Sequence, residues 1–382
     1  MATRFFYSPQ INLLGAGCVQ EVGAQMKALG FKKALVVTDK ILVQNGIVAK
    51  VTDTLVKKNI TFVLYDEISP NPTCAQVHKG FDLLTEHGCD CIVTVGGGSP
   101  QDAGSAMGIL ATNGGNIRDY EGIHKSAKPG MPTIAVNTTA GTSAELTINY
   151  VITDEDRAVK MVMVDKNSIA TMSVSDPELM IGKPADLTAA TGMDTLTHAI
   201  ECLLTKGAYA VSDCMALECV KIVFKYLPTA VKDGTNLEAR EQMTYANFLI
   251  GLAFSNAGLG YVHSMAHQLG GIYDLPHGVC NAMLLPIVTK ANAAYAPDKI
   301  RLIAAVLGAN AMSDAEYADF VLNKIKSLSE EIGIPKTLDE LGITNPDFDR
   351  LAESALKDVC TGGNPFQPTK EQTIAMYKAL VK

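Results

Sequence analysis

Apolar and polar positions change their rhythm part-way along the chain. Through the first half, short runs rich in β-branched residues recur at 34–39, 61–65, 91–95 and 133–137. Between them lie longer stretches, such as 48–58 and 74–87, whose apolar residues fall three and four apart. The first rhythm belongs to strands and the second to amphipathic helices. Their alternation predicts a mostly parallel sheet with helices on both faces, an α/β unit. Residues 149–153 and 160–164 flank the polar tetrad Asp154-Glu155-Asp156-Arg157 and predict a hairpin that extends this sheet.

Beyond Pro184 the strand rhythm stops. Segments 187–206, 211–226, 237–256, 262–269, 318–332 and 348–356 are rich in Ala, Leu and Met at helical period. The expected division is an α/β domain over 1–183 and an all-helical domain over 184–382. No internal repeat or low-complexity tract interrupts either.

Composition narrows the classes. Hydrophobic residues make up 47% and charged residues 19% of the 382 residues, which excludes a disordered chain. A formal net charge of −8 argues against nucleic acid or an anionic membrane as partner. The stretch Met1-Ala2-Thr3-Arg4-Phe5-Phe6 lacks the shape of a signal peptide, and no apolar run is long enough to span a bilayer, so the expected setting is cytoplasmic. Nine cysteines form no C-x-x-C pair, and their odd number fits reduced thiols better than a disulfide framework. Cys280, three residues after His277, is expected to pack rather than to ligate.

Candidate chemistry in the first half lies where strands end. Gly96-Gly97-Gly98-Ser99-Pro100-Gln101-Asp102 follows a predicted strand and opens a helix. Glycines there let main-chain N–H groups approach a diphosphate at a helix N-terminus. Ser99 is the expected N-cap, Pro100 fits the first helical position, and Asp102 completes a capping-box-like pattern. The same residues would also make a tight turn with no ligand. Asp39 ends a strand, where its carboxylate can hold ribose hydroxyls and repel a 2′-phosphate, or simply cap the next helix. Thr138-Thr139-Ala140-Gly141-Thr142-Ser143 is another strand end, readable as a nicotinamide-ribose groove or as a polar turn.

Candidate chemistry in the second half is a cluster of metal-ligand types. Asp194 and His198 are four residues apart, as are His263 and His267, so each pair points from one helix face. His277 follows Pro276. One histidine on an apolar helix face is usually a satisfied core residue, but five candidate ligands in two clusters fit a metal better. A carboxylate with several imidazoles suits Fe²⁺ or Zn²⁺ and leaves the choice open.

Taken in this order, the motifs resemble the iron-dependent (group III) alcohol dehydrogenase family. The markers are Gly96-Gly97-Gly98-Ser99-Pro100, Thr138-Thr139-Ala140-Gly141-Thr142, residues 190–198 ending in Asp194-Thr195-Leu196-Thr197-His198, residues 258–267 ending in His263-Ser264-Met265-Ala266-His267, and Leu275-Pro276-His277-Gly278. The resemblance spans nearly the whole chain. It implies a Rossmann-like nucleotide-binding domain followed by an all-helical metal-binding domain, the dehydroquinate-synthase-like fold. It implies that Asp194, His198, His263 and His277 hold the metal, Fe²⁺ with Zn²⁺ as the other candidate. His267 would stay off the metal, near substrate and nicotinamide. Contacts to the cofactor, NAD with NADP not excluded, would fall to Asp39, Asn71, Gly97, Gly98, Ser99, Thr138, Thr139, Thr142, Asn149, Lys160 and Leu179. Without the resemblance, Asn71 reads as a turn residue and Lys160 as a solvated hairpin charge.

Three positions depart from the family's usual pattern. Ser105 replaces a common Lys, Ile287 a common His, and Phe366 a common Arg. The implied reaction moves hydride between the nicotinamide and a short-chain primary alcohol, aldehyde or diol of the ethanol, propanediol or lactaldehyde type, with His267 relaying the proton. Relatives assemble as dimers or larger homo-oligomers, and Ile11-Asn12-Leu13-Leu14 reads either as a strand pairing across a two-fold axis or as one buried within the chain. The competing chemistry is a dehydroquinate-synthase-type lyase acting on a phosphorylated substrate. It would need several cations near the metal, yet between Asp194 and His277 the basic residues are only Lys206, Lys221, Lys225, Lys232 and Arg240. A metal-storage protein without turnover would leave the glycine and threonine loops unexplained.

Overall fold

The computed structural model describes residues 3–381. Met1 and Ala2, part of the stretch read above for leader character, and Lys382 lie outside the described residues. Two compact units are present, Met1–Ile181 and Gly182–Lys382.

The first unit holds strands β1 (Ile11–Leu14), β2 (Lys33–Val37), β3 (Thr61–Tyr65), β4 (Cys91–Gly96), β5 (Gly122–Ile123), β6 (Thr133–Asn137), β7 (Asn149–Asp154), β8 (Val159–Val164) and β9 (Met172–Ser175). Its helices are α1 (Val22–Ala28), α2 (Lys40–Gln44), α3 (Ile47–Lys57), α4 (Cys74–Glu86) and α5 (Gly98–Asn113). Six strands form a parallel sheet in the order β1-β9-β6-β4-β2-β3. The central β4 and β6 are buried at every position, whereas the edge strand β1 alternates between partly buried and exposed. Alternate residues feed opposite faces. Leu35, Val37 and Ile92 pack with Val77 and Leu84 of α4 and Met107 and Leu110 of α5. Ala34, Val36 and Val93 pack with Val22 and Met26 of α1 and Val51 and Leu55 of α3. From β2 the chain goes to β3 on one side and then to β4 on the other, so the ends of β2 and β4 flank a topological switch point.

Two expectations are corrected here. The β7–β8 hairpin forms, but it does not extend the parallel sheet. It joins β5 in a separate three-stranded sheet. The reason is that the edge beside β6 is taken by β9, whose short Met-Ser-Val-Ser run gives little signal. Ile11–Leu14 pairs within the chain, in parallel register with Met172–Ser175. Its other side is a sheet edge.

The second unit is helical throughout its described residues. It comprises α6 (Ala185–Leu204), α7 (Ala210–Lys232), α8 (Leu237–Ala257), α9 (Tyr261–Tyr273), α10 (His277–Ala293), α11 (Pro297–Val306), α12 (Asp314–Glu331), α13 (Phe348–Lys357) and α14 (Lys370–Lys378), with one-turn helices between some of them. Helix α6 is the axis of this unit. It packs against α7, α8 and α10 and is buried on nearly every side from Thr188 onward. Such burial calls for apolar residues, so Asp194, His198 and Glu201 on this helix require partners. All nine cysteines are free, and Cys280 is buried. No helix among the described residues is long and apolar enough to cross a membrane.

Candidate metal centre and dinucleotide site

The ends of three neighbouring strands carry the candidate cofactor residues. Asp39 follows β2, Gly97-Gly98-Ser99 follows β4, and Thr138 to Thr142 follows β6. The Thr38 hydroxyl donates to the Val95 carbonyl at 2.8 Å and ties the first two ends together. Gly96 pairs in register with Asn137, which sets the glycine and threonine loops side by side. A Cβ on Gly97 would lie 3.0 Å from the Thr139 side chain, and one on Gly98 would lie 3.1 Å from that of Thr142. Larger residues at 97 and 98 would therefore push the threonines out of place.

Helix α5 starts two residues earlier than its motif suggested. Gly98 is its first residue and Gly97 its N-cap, with no side chain capping it. Ser99 and Pro100 thus fall inside the first turn. Asp102 does not close a capping box. It accepts a hydrogen bond from the Val151 main chain in β7, and burial pushes its carboxyl up to about 8. The N-cap is instead Gly97 in extended backbone, where a Cβ would press on the Thr139 side chain. A helix N-terminus built this way presents main-chain donors and a positive dipole end, which suits a diphosphate.

The remaining cofactor candidates divide into two groups. Asp39 caps α2, with Oδ1 accepting from Leu42 N at 2.9 Å. The cap uses one oxygen, so capping and ribose binding are compatible. Asn71 adopts a left-handed φ of 58°, and its Oδ1 accepts from Lys160 Nζ at 2.7 Å, which joins the loop before α4 to β8. Asn149 opens β7. Leu179 is 3% exposed and packs in the core beneath the sheet, so its side chain is not displayed with the others.

In the helical unit, three elements bring metal-ligand atoms to one point. Helix α6 supplies Asp194, the first turn of α9 supplies His263, and His277 begins α10. Around Asp194 Oδ1 stand His277 Nε2 at 3.6 Å, His263 Nε2 at 3.8 Å and His198 Nδ1 at 3.9 Å. These gaps are too long for hydrogen bonds. Ligands held about 2.0–2.2 Å from a tetrahedral ion stand roughly 3.4 Å apart, so the gaps fit donors sharing one ion. Asp194, His263 and His277 form the tightest set. His198 stands beside it, with its ring 4.5 Å from that of His263 and stacked on Phe254 at 4.2 Å. Its Nδ1 is buried and has no hydrogen-bond partner among the described residues.

The charges agree with a cation. Asp194 is 2% exposed and pairs with no Lys or Arg among the described residues. Burial raises its pKa, and an isolated buried carboxylate is costly. Burial, followed by the neighbouring His198 and His267, holds His263 well below the ordinary imidazole value, so its lone pair is available. The Asn281 amide nitrogen stands 2.7 Å from Asp194 Oδ1, 3.0 Å from His277 Nε2 and 3.1 Å from His263 Nε2. An amide has two hydrogens for these three acceptors, and the Asn281 oxygen is itself buried without a partner. Lone pairs in excess of donors converge here, and the residues fit a divalent ion.

The ligand types are held by further residues. Glu201 accepts from His263 Nδ1 at 2.5 Å and from Val262 N at 2.6 Å, which turns His263 Nε2 inward. Burial pushes the Glu201 carboxyl up to about 7. Gly278 lies against α6, where a Cβ would sit 2.4 Å from the Ala190 carbonyl oxygen. This contact sets the distance between the start of α10 and the helix bearing Asp194.

Comparison with known proteins decides the family. Residues 9–177 match the model of iron-containing alcohol dehydrogenases, and residues 188–381 match the C-terminal model of the Fe-containing alcohol dehydrogenase family. The chain belongs to the iron-containing alcohol dehydrogenase family. Alcohol dehydrogenase 4 of Schizosaccharomyces pombe is 46% identical over 99% of this chain and 89% of its own. The NAD-dependent methanol dehydrogenase of Bacillus methanolicus is 41% identical over 98% of both chains. A crystal structure of 1,3-propanediol oxidoreductase superposes with a TM-score of 0.96 at 44% identity, covering 99% of each chain. The resemblance read from the motifs and the two-part fold are thereby established, and the alcohol dehydrogenase reaction class is favoured over the lyase. The structure adds a reason. Arg240, the one arginine between the ligand clusters, is spent on the Gly234 and Lys183 carbonyls and the Thr188 hydroxyl, so it is not free for a phosphate.

In this iron-containing alcohol dehydrogenase, sequence reasoning missed Glu201, Asn281 and Asp358. Helical spacing could have found two of them. Glu201 lies three residues after His198, and Asn281 four after His277. Asp358, which contacts His267, is 91 residues away from it and gives no local signal.

Proposed function

We propose that this alcohol dehydrogenase transfers hydride between NAD(H) and a short-chain primary alcohol, aldehyde or diol, with Asp194, His198, His263 and His277 holding Fe²⁺ or Zn²⁺. The observation that carries the reading is the convergence of one carboxylate oxygen and imidazole nitrogens on a buried point with no basic counter-charge. When bound, the metal supplies Lewis acidity to the substrate oxygen, and the nicotinamide carries the hydride.

The chain's residues perform the rest. The bare N-terminus of α5, with Gly97, Gly98 and Ser99, receives the diphosphate. Thr138, Thr139 and Thr142 line the adjoining groove, and Asn71, Asn149 and Lys160 complete the set, with the Leu179 side chain packed in the core beneath the sheet rather than displayed with them. Asp39 selects NAD, because a carboxylate accepts from ribose hydroxyls and repels a 2′-phosphate. His267 lies off the metal cluster and exchanges a proton with the substrate oxygen. Its ring is parallel to His277 at 5.6 Å and edge-on to His263 at 6.0 Å, which is near enough to serve substrate without joining the tight set. The division of labour follows the units, with the dinucleotide on the residues before 184 and the metal on those after. A cytoplasmic, fermentative homo-oligomer, a dimer or larger, fits the acidic chain and its reduced cysteines.

The test is NADH or NADPH oxidation by metal-stripped protein reloaded anaerobically with Fe²⁺ or Zn²⁺, offered acetaldehyde, propanal or lactaldehyde. Metal-dependent turnover with NADH favoured is the expected result. Folded, metal-loaded protein that turns over none of these pairs would overturn the reading.

A further inference from the structure

The His267 ring is held from behind. Its Nδ1 lies 2.9 Å from Asp358 Oδ2, and both side chains are more than nine-tenths buried. Asp358 is itself fixed. It directly follows α13 as its C-cap and also caps the one-turn helix Val359–Gly363, with Oδ1 accepting from Cys360 N at 2.9 Å. That turn is fastened to α9 by the Thr361 hydroxyl, which donates to the Ala355 carbonyl at 2.7 Å and lies 2.8 Å from the Ser264 hydroxyl. Gln268 adds an amide contact to Asp358 Oδ2 at 3.4 Å. One carboxylate oxygen is thus anchored to main chain and the other faces the imidazole.

A carboxylate can only accept here, so His267 Nδ1 must donate and carry a proton. The other ring nitrogen is then the one that takes up and releases a proton, as for any base oriented by a third group. We infer that Asp358 is a positioning residue for the proton relay. It fixes the ring of His267 and keeps its exchangeable proton on Nε2, an assignment that rests on the relay reading above. In alcohol oxidation the hydroxyl proton would pass to Nε2 and the resulting imidazolium would face the Asp358 carboxylate, the nicotinamide, when bound, supplying the hydride acceptor. In aldehyde reduction Nε2 would return that proton, with the reduced nicotinamide as the hydride source. Burial alone would raise the Asp358 carboxyl, but the adjacent imidazole, the hydrogen bond to it and the Cys360 main-chain bond hold it below the usual carboxylate value. It is therefore charged when the relay needs it.

The experiment is a double-mutant cycle on metal-loaded protein with Asp358→Asn, His267→Ala and their combination. It reads single-turnover NADH oxidation, KM for aldehyde, bound metal and thermal unfolding. Asp358→Asn keeps the cap oxygen but presents an NH₂ to Nδ1, so the wrong ring nitrogen is protonated. The expected outcome is a fall in single-turnover rate of about 10- to 100-fold with KM within about threefold. Metal content should not change, and no further loss should appear when His267 is already Ala. Asp358→Glu, which keeps an acceptor but displaces the cap, should recover part of the rate, and it also serves if the Asn variant does not fold. A wild-type rate in Asp358→Asn, or an equal loss with and without His267, overturns the inference while the relay survives. A wild-type rate in His267→Ala removes the relay reading and this inference with it.

Discussion

In the proposed assignment, main-chain N–H groups at Gly97, Gly98 and Ser99 would be the working atoms of the dinucleotide unit, whereas the helical unit would work through side chains. In the first, side chains matter mostly by being absent, since Gly97 and Gly98 leave room for Thr139 and Thr142. In the second, Asp194, His263 and His277 come from three helices and are oriented by Glu201 and Asn281. The contrast teaches where each kind of site tolerates change. A main-chain site fails by added bulk, and a side-chain site fails by lost donors.

The largest expected effect strikes the side-chain site. His263→Ala should leave the purified protein nearly metal-free after dialysis and lower turnover by about a thousandfold or more. Metal analysis beside NADH binding separates the two units, because cofactor binding should survive. Retention of full metal would remove His263 from the ligand set. Next comes bulk in the main-chain site. Gly97→Val should weaken NADH binding by roughly 100-fold through the crowded diphosphate loop, and bound metal should stay at the wild-type level. Equal loss of metal would break the division between the units.

Smaller effects sharpen the same contrast. Glu201→Gln should lower metal affinity by about 10- to 100-fold, the usual cost of losing a carboxylate behind a ligating histidine. Competition with a chelator reads it, and an unchanged affinity would show that burial alone orients His263. Asp39→Asn keeps the α2 cap and removes the charge, so the ratio of NADH to NADPH turnover should fall by about tenfold. An unchanged ratio would leave Asp39 a cap only. The smallest effect concerns the β7–β8 hairpin, where hydrogen bonds from Arg118 and Arg157 hold the Asp154 carboxyl well below its ordinary value. A depressed folded-state value adds stability that is complete above the unfolded value, about 3.9, and is lost as pH falls below it. Arg118→Met should therefore lower stability at pH 7, where the contribution is complete, and change it least well below about pH 4, so that the acid limb of the unfolding profile flattens. A parallel shift at all pH values would contradict that account.

Legibility followed the range of the forces involved. The runs 61–65 and 133–137 became β3 and β6 residue for residue because β-branched strands are bounded by polar turns. The four-residue β9 and two-residue β5 left no pattern, so the hairpin was assigned to the wrong sheet. Ser99 falls inside the first turn rather than at the cap, because capping preference is local and says nothing of the threonine loop that lies against Gly97 and Gly98. The i, i+4 pairs Asp194/His198 and His263/His267 were visible in the sequence. The depth to which α6 buries them, and the partner that Asp358 offers to His267, arise from tertiary packing and were not.

Gly278 carries a consequence for the choice of ion. Its missing methyl lets α10 rest directly on the Ala190 carbonyl, so the backbone that delivers His277 cannot slide without moving the helix that delivers Asp194. In the proposed metal centre the spacing between these donors would act as a ruler graduated by ionic radius. Alanine at 278 would lengthen that ruler and shift preference toward larger divalent ions, although position 278 donates nothing to the metal itself.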